Sequence, residues 1–300
     1  MTRRDGGIDV LKGVAIISVV AYHLGMAWTP LAVCCPIFFL VNGQLTLSRP
    51  FAWKRHVRRL AGIALLTILW SLIAQTVWMV SGRWAGPIRP IGNTIRLVQP
   101  VNNWLWFMLA LLAVHLAAPV LKHLLDHAFP MFVMLTILVT GCAWAAGLAP
   151  IFPALARMAT VPPFNTEIGW ALAMFCIGGC LARVKPFTPA PWMRIPLAGI
   201  AVIIAWLPSA MLAARGLNPV WDAYGLPGTT LAVILLWLAV RGTHPTPLST
   251  FMGSTTLCAY LTHWLWVMTL PAGSWWATPL IWLMASNLDQ IPLIRRLTSI

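Results

Sequence analysis

Two ionisable side chains early in the chain, Lys12 and His23, are spaced so that they share one edge of a helix. Eleven helical residues return to within about 20° of the starting face and rise about 16 Å along the axis. An ionisable group in an apolar stretch usually faces a cavity and marks a site, and imidazole is suited to proton transfer near neutral pH. Alternatively, the lysine reaches for water and the histidine bridges two helices, and the residue types leave both interpretations open.

Further polar and aromatic side chains lie within or beside apolar stretches. His115 and His263 could belong to a second site or could bridge helices through hydrogen bonds. Glu167, the only glutamate, could pair with an imidazole or a sugar, or could be a carboxylate stabilised at a helix N-terminus. The 18 tryptophans are interpreted mostly as a belt at the membrane interface, although Trp104 and Trp106 could line a sugar site, because aromatic faces pack against sugar C–H surfaces.

The cysteines do not indicate a metal site. All six lie in apolar stretches without metal-ligand spacing. We therefore predict no metal and interpret them as small buried hydrophobic residues. They are Cys34, Cys35, Cys142, Cys176, Cys180 and Cys258.

The composition predicts the elements that position these residues. Of the 300 residues, 60% are hydrophobic and 9% are charged, and the mean hydropathy is +0.82. Hydrocarbon cannot satisfy backbone polar groups, so spans are helices or closed barrels, and long apolar runs favour helices. We predict an all-α polytopic membrane protein, one domain over residues 1–300, with about ten transmembrane helices. The predicted spans are 10–28, 30–47, 59–80, 103–124, 129–148, 166–184, 193–213, 223–241, 252–270 and 275–295.

The distribution of charge predicts the orientation. The net charge is +14, which on a soluble chain would suggest nucleic acid, but the basic residues lie between apolar runs. We therefore expect no nucleic-acid partner. Placing both termini in the cytoplasm leaves only five of the 20 Lys and Arg outside, in agreement with the positive-inside rule. The five are Arg83, Arg89, Arg96, Arg157 and Arg215.

Six segments follow one another in the order found in a known family. They are Ile8–Ala15 with His23, Pro36–Gly43, Arg55–Arg58, Trp104–Met108 with Pro119, Ala259–His263 and Ile291–Arg296. In these segments the chain resembles the acyltransferase 3 family of integral-membrane acyltransferases, without a fused extracytoplasmic domain. The family pattern includes a basic residue, ten residues and then His, an Arg-x-x-Arg signature, and a late Tyr-Leu-x-His segment.

The resemblance implies a reaction and its partners. An acyl group, commonly acetyl, passes from cytoplasmic acyl-CoA to a carbohydrate hydroxyl of a cell-envelope or exported polysaccharide or its lipid-linked precursor. The expected partners are acyl-CoA as donor, a carbohydrate or lipid-linked glycan as acceptor, and membrane lipids. No tightly bound cofactor is expected. The expected location is the bacterial plasma (inner) membrane, as a multi-pass protein.

The resemblance also assigns residue roles. His23 is the candidate base in direct transfer, with a covalent acyl-His intermediate as the alternative, and Lys12 would steady the donor or the developing oxyanion. His263 matches a family histidine and is the second-site candidate, whereas His115 stands where the family more often has Tyr. Donor phosphates would meet a cationic cluster, which without the resemblance would be interpreted as a membrane anchor. The cluster is Lys54, Arg55, Arg58 and Arg59.

Two positions depart from the family pattern. Trp104 stands where many members have His, and Asn42 stands where many have Ser. The first departure puts an inherited role at that position in doubt. Both residues, with Trp106 and Glu167, are candidates for the acceptor site.

Two other functional classes compete with the enzyme. A proton-coupled transporter of a hydrophilic solute could use His23, His115 and His263 as a proton path. A non-catalytic membrane partner could retain the same scaffold. The Arg55-x-x-Arg58 signature beside a His-bearing first span favours the enzyme, because a CoA donor needs cations and a transporter does not.

Overall fold

The computed structural model describes residues 5–26, 29–96, 103–152, 155, 167–184, 188–218, 220, 222–267, 270, 273–292 and 295. These residues form helices joined by turns and loops, with no strand among them. The all-α prediction is therefore confirmed. The α-helices are α1 (Gly6–His23), α2 (Cys34–Leu47), α3 (Trp53–Val80), α4 (Pro90–Ile95), α5 (Trp106–His127), α6 (Phe129–Leu148), α7 (Glu167–Arg183), α8 (Pro191–Ala213), α9 (Pro227–Val240), α10 (Pro247–Ser254), α11 (Thr256–Val267) and α12 (Thr278–Asn287).

Several helices are long enough to cross a membrane. In the described part of the chain, six segments have the required length and apolar composition: α1, Pro30–Leu47, α3, α5, α6 and α8. The apolar α9 has 14 residues and α7 has 17, so both are shorter than a typical span. The chain is a multi-pass helical membrane protein, while ten spans with both termini inside stay a prediction.

The first helix begins four residues before its predicted start because a cap precedes the apolar run. The Asp5 carboxylate accepts hydrogen bonds from the backbone N–H of Gly7 at 2.9 Å and of Ile8 at 3.4 Å. Such a cap satisfies N–H groups that have no partner within the helix. The first turn of α1 is therefore ordered, and Lys12 lies nearly two turns inside the helix.

The predicted span at residues 252–270 is interrupted. The capping box of Thr246 and Ser249 starts α10, which ends at Ser254, and α11 begins at Thr256. At Gly253 a Cβ atom would collide with the side chain of Asp9 on α1. The α10 backbone therefore lies close to α1 directly before the break at Thr255, and hydropathy alone does not reveal either feature.

Small residues also bring α2 and α7 together. A Cβ atom on Gly43 would collide with the Phe175 carbonyl, and one on Gly178 would collide with the Leu40 carbonyl. Such close backbone contact is typical of helix pairs in membranes. The hydrophobic effect does not drive helices together in lipid, and small residues allow the close packing that does. This pair fixes the position of Asn42 and of the last turn of α2, which line a cavity.

Candidate active site

Two histidines that are 240 residues apart in sequence meet between α1 and α11. His23 Nδ1 lies 3.0 Å from His263 Nε2, and the ring centroids are 5.0 Å apart in a stacked arrangement. His263 is fully buried, whereas His23 is partly exposed. The sequence predicts the two residues as separate candidates, and the fold brings their side chains into contact.

The surroundings of the pair assign its protons. His263 Nδ1 lies 2.5 Å from the Tyr260 carbonyl oxygen and 3.2 Å from that of Ala259. Carbonyl oxygens only accept hydrogen bonds, so Nδ1 of His263 carries a hydrogen and, in the neutral ring, Nε2 is an acceptor. His23 Nδ1–H then donates to His263, which leaves the lone pair of His23 Nε2 available. In this tautomer the His23 Nε2 lone pair is the free acceptor of the pair, which agrees with the predicted role of His23 as the base.

The chain reverses direction directly after His23. The last residue of α1 is followed by Leu24, whose N–H donates to the Val20 carbonyl, and then by Gly25 with φ of +92°. A Cβ atom on Gly25 would lie 2.9 Å from the backbone nitrogen of Gly273. Glycine tolerates both the backbone angle and the close approach, so the turn fixes His23 at the helix end.

An indole N–H also lies close to the pair without a partner. The Trp264 ring centroid is 4.5 Å from that of His23 and 5.9 Å from that of Trp104. Trp264 Nε1 is buried and has no hydrogen-bond acceptor among the described residues. A buried donor without an acceptor is uncommon and is available to a ligand.

A cavity of about 870 Å³ reaches towards this region from the opposite end of α1. Its mouth includes the exposed Ser48, Arg49 and Pro50 after α2. Its lining contains charged groups from α1, from α3 and from residues that flank α1, α2 and α9, with an apolar region beyond them. The charged groups are Asp5, Asp9, Lys12, Arg49, Arg59 and Arg241, and the apolar region includes Phe38, Phe107, Met108, Leu111 and Tyr260.

Tyr260 connects the apolar end of the cavity with the histidine pair. Its hydroxyl donates to the Trp104 carbonyl at 2.6 Å, and its ring centroid is 4.7 Å from that of Phe107. The ring of His263 lies one helical turn further on, with its centroid 5.8 Å from that of Tyr260. Tyr260 therefore stands between the cavity, which it lines, and the pair of His23 and His263, which lies outside the lining.

The predicted donor-binding cluster is divided by the fold. Arg59 lines the cavity and donates to Thr46 Oγ1 at 3.3 Å, whereas Lys54, Arg55 and Arg58 are exposed and lie outside the lining. Arg55 is four residues before Arg59 and shares its helix face, which places it towards the rim. Arg49 and Arg241 line the cavity although the sequence did not single them out as site residues.

The missed arginines have a weak signal in the sequence. Arg49 follows the last turn of α2, and Arg241 directly follows α9, so both stand where an apolar run ends. Arg241 is held by Trp237, whose ring centroid is 4.3 Å from the guanidinium carbon, and by a 3.3 Å hydrogen bond to the Val184 carbonyl. Position at a helix end alone does not distinguish a cavity residue from a membrane anchor.

The candidates for the acceptor site lie in different surroundings. Trp104 and Trp106 are 5% and 7% exposed, and Trp106 packs against Trp170, so neither presents an open face to a sugar in this conformation. Asn42 lines the cavity, with its side-chain amide donating to the Phe38 carbonyl at 2.9 Å.

Glu167 and His115 are the remaining candidates. Glu167 is the first residue of α7 and makes no ion pair or side-chain hydrogen bond with the described residues. His115 lines the cavity and is fully buried, 6.4 Å between ring centroids from His56. The structure therefore separates His115 from the pair of His23 and His263.

Within the described residues, no group of three His, Cys, Asp or Glu side chains is arranged to hold a metal ion. No curated protein and no solved structure matches the chain. A family model does match, with the description acyltransferase domain, and it covers residues 5–286. This match spans nearly the whole chain, including the cavity and the histidine pair, and confirms the resemblance found in the sequence. The chain belongs to the acyltransferase 3 family.

Proposed function

We propose that this membrane acyltransferase moves an acyl group, most simply acetyl, from cytoplasmic acyl-CoA to a carbohydrate hydroxyl of a cell-envelope or exported polysaccharide or its precursor. The observation that carries the proposal is the 3.0 Å contact between His23 and His263 beyond the inner end of a cationic cavity. The cavity volume of about 870 Å³ and its charges suit a long phosphate-bearing thioester.

Transfer proceeds directly in this proposal. His23 Nε2 takes the proton of the acceptor hydroxyl, and the oxygen attacks the thioester carbonyl carbon. The tetrahedral intermediate collapses with cleavage of the carbon–sulfur bond, and the thiolate leaves with the proton that His23 held. His263 stabilises the transient imidazolium by accepting from His23 Nδ1–H.

The developing oxyanion needs a donor near His23. Lys12 lies eleven residues away on the same helix, about 16 Å along its axis, and it lines the cavity. We therefore assign Lys12 to the donor's charged part and not to the oxyanion. The unpaired Trp264 Nε1–H beside His23 is the better oxyanion donor.

Donor binding involves the cavity arginines first. Arg49, Arg59 and Arg241 line the cavity, and guanidinium groups bind phosphate through paired N–H donors. Arg55 and Arg58 remain proposed contacts at the rim, where a donor would first meet the protein. Their exposure means that their contribution is screened by solvent and smaller than that of Arg59.

The proposal includes ten spans with both termini in the cytoplasm of a bacterial inner-membrane protein. Contacts between helix ends support the alternation that this topology requires. Arg183 at the end of α7 binds Asp126 near the end of α5 at 2.5 Å, and Arg59 near the start of α3 binds Thr46 near the end of α2. All four ends are cytoplasmic in the predicted topology, and at the opposite end Tyr22 accepts from Asn218 at 2.9 Å.

Acetyl-CoA binding and turnover by the purified protein in detergent test the proposal. We expect saturable binding in the wild type and in His23→Ala, with release of free CoA lost only in His23→Ala. His123→Ala is the matched control, because His123 is exposed on α5 and lies outside the cavity. Absence of binding to any short acyl-CoA would instead favour the transporter or the non-catalytic partner.

A further inference from the structure

One wall of the cavity is a row of side chains from successive turns of α5. Phe107, Leu111 and His115 are four residues apart, so they lie on one helix face over about 12 Å, and all three line the cavity. The apolar members face the end near Tyr260. His115 is at the other end of the row, at the level of the first turns of α3, where Arg59 also lines the cavity.

His115 has no partner in this position. Its side chain is 0% exposed, and neither Nδ1 nor Nε2 makes a hydrogen bond with the described residues. The nearest aromatic rings are Phe175 and His56, with centroids 5.8 Å and 6.4 Å away. A buried polar group without a partner loses the hydrogen bonds that it makes with water, so the position is unfavourable unless a ligand supplies such bonds.

A second unpaired donor lines the same cavity. Arg241 Nη1 is buried and has no acceptor among the described residues, although another nitrogen of the same guanidinium bonds to Val184. Arg49 and Arg59 complete a set in which the cationic side chains only donate hydrogen bonds. Asp5, the cap residue of α1, and Asp9 in its first turn also line the cavity.

Donors without acceptors beside three guanidinium groups suit an anion with several acceptor oxygens. We propose that His115 and Arg241 bind a phosphate group of the nucleotide part of the donor, with His115 donating a hydrogen bond to a phosphate oxygen. The inference rests on the proposed function, because it takes acyl-CoA as the occupant of the cavity. The apolar row beyond His115 then receives the pantetheine arm, and the thioester extends past Tyr260 towards His23.

Ligands that differ in phosphate content test the proposal. Binding of acetyl-CoA, acetyl-dephospho-CoA, acetyl-pantetheine and inorganic pyrophosphate is measured in nanodiscs for the wild type and for His115→Phe. Phenylalanine keeps the ring and removes both nitrogens. The matched control is His123→Phe, two turns further along α5, exposed and outside the cavity. His115→Gln is measured in parallel, so that a folding defect of one variant does not decide the outcome.

We expect His115→Phe to weaken acetyl-CoA binding about 10- to 100-fold, as for the loss of a hydrogen bond to a charged group. Acetyl-pantetheine binding should stay unchanged. The affinity of His115→Gln for acetyl-CoA should lie between that of the wild type and that of His115→Phe. The ligand-free variant should melt at the same or a higher temperature, because unsatisfied buried nitrogens are removed. Equal loss of affinity for acetyl-CoA and acetyl-pantetheine would overturn the proposal and make His115 a packing residue.

The pyrophosphate arm separates this inference from the proposed function. If the wild type binds pyrophosphate but no acyl-CoA, and His115→Phe abolishes pyrophosphate binding, the phosphate subsite is supported and acyl-CoA is excluded as the donor. If the wild type and both His115 variants bind acyl-CoA with the same affinity, acyl-CoA is supported as the donor and the phosphate subsite at His115 is excluded. A protein that binds none of the four ligands would contradict both.

Discussion

Replacing His263 with phenylalanine is expected to slow acyl transfer without weakening donor binding. The variant keeps a ring of similar size in a fully buried position and removes the nitrogen that lies 3.0 Å from His23 Nδ1. His23 then loses the partner that fixes its tautomer, so its Nε2 lone pair is no longer held towards the acceptor. The carbonyl oxygens of Tyr260 and Ala259 lose their donor as well.

The size of the effect follows from the charge that develops on His23. When His23 takes the hydroxyl proton, its Nδ1–H becomes a charged donor to His263. A hydrogen bond to a charged group contributes about 1.5–3 kcal/mol, which corresponds to a kcat lower by about 10- to 150-fold. His263 lies outside the cavity lining, so KM for acyl-CoA is expected to stay unchanged.

Release of free CoA in proteoliposomes that contain the acceptor measures both constants. His123→Phe again provides the control, because it makes the same exchange of histidine for phenylalanine at an exposed position of α5. A wild-type kcat in His263→Phe would refute the assignment of His263 as the positioning residue. A rise in KM with unchanged kcat would also refute it and would indicate a role in donor binding.

Three further predictions address the remaining parts of the site. Arg59→Ala is expected to raise the Kd for acetyl-CoA about tenfold, clearly more than Arg55→Ala, in the same binding measurement; an unchanged Kd in Arg59→Ala would contradict its place in donor binding and return it to the anchor role. Trp264→Phe is expected to lower kcat about 10- to 100-fold with KM retained, and unchanged kcat would exclude the indole as oxyanion donor. Gly253→Ala should cost about 1–3 kcal/mol through overpacking against α1, whereas Gly199→Ala, whose Cβ meets nothing within 4 Å, should not lower Tm.

The fold class could be predicted from the sequence because the hydrocarbon of the bilayer restricts the backbone structures that can cross it. Long apolar runs must be helices in hydrocarbon, and the predicted spans coincide with helices through most of the described chain. The interruption at Thr255 and the short α4 at Pro90–Ile95 were not predicted. Both lie beside contacts between residues far apart in the chain: Gly253 packs against Asp9 of α1, and Gln75 Oε1 of α3 accepts a 2.9 Å hydrogen bond from Asn93 of α4.

The candidate site was predicted residue by residue but not as an arrangement. His23 and His263 were chosen for their type, their position in apolar stretches and their match to the family pattern, and their contact depends on how α1 and α11 pack. Conversely, the Arg-x-x-Arg signature drew attention to Arg55 and Arg58, whereas the cavity is lined by Arg49 and Arg59. Residue type indicates which chemistry is available, and only the packing of the helices decides which side chains share a cavity.

Transfer across a sealed membrane tests the central proposal most directly. Proteoliposomes that enclose a carbohydrate acceptor are supplied with acetyl-CoA labelled in the acetyl group on the outside only, and ester-linked label is measured on the enclosed carbohydrate. We expect label in the wild type and in His123→Ala, and none in His23→Ala, although the latter binds acetyl-CoA normally. Label accumulating at the wild-type rate in His23→Ala would contradict the assignment of His23 as the base.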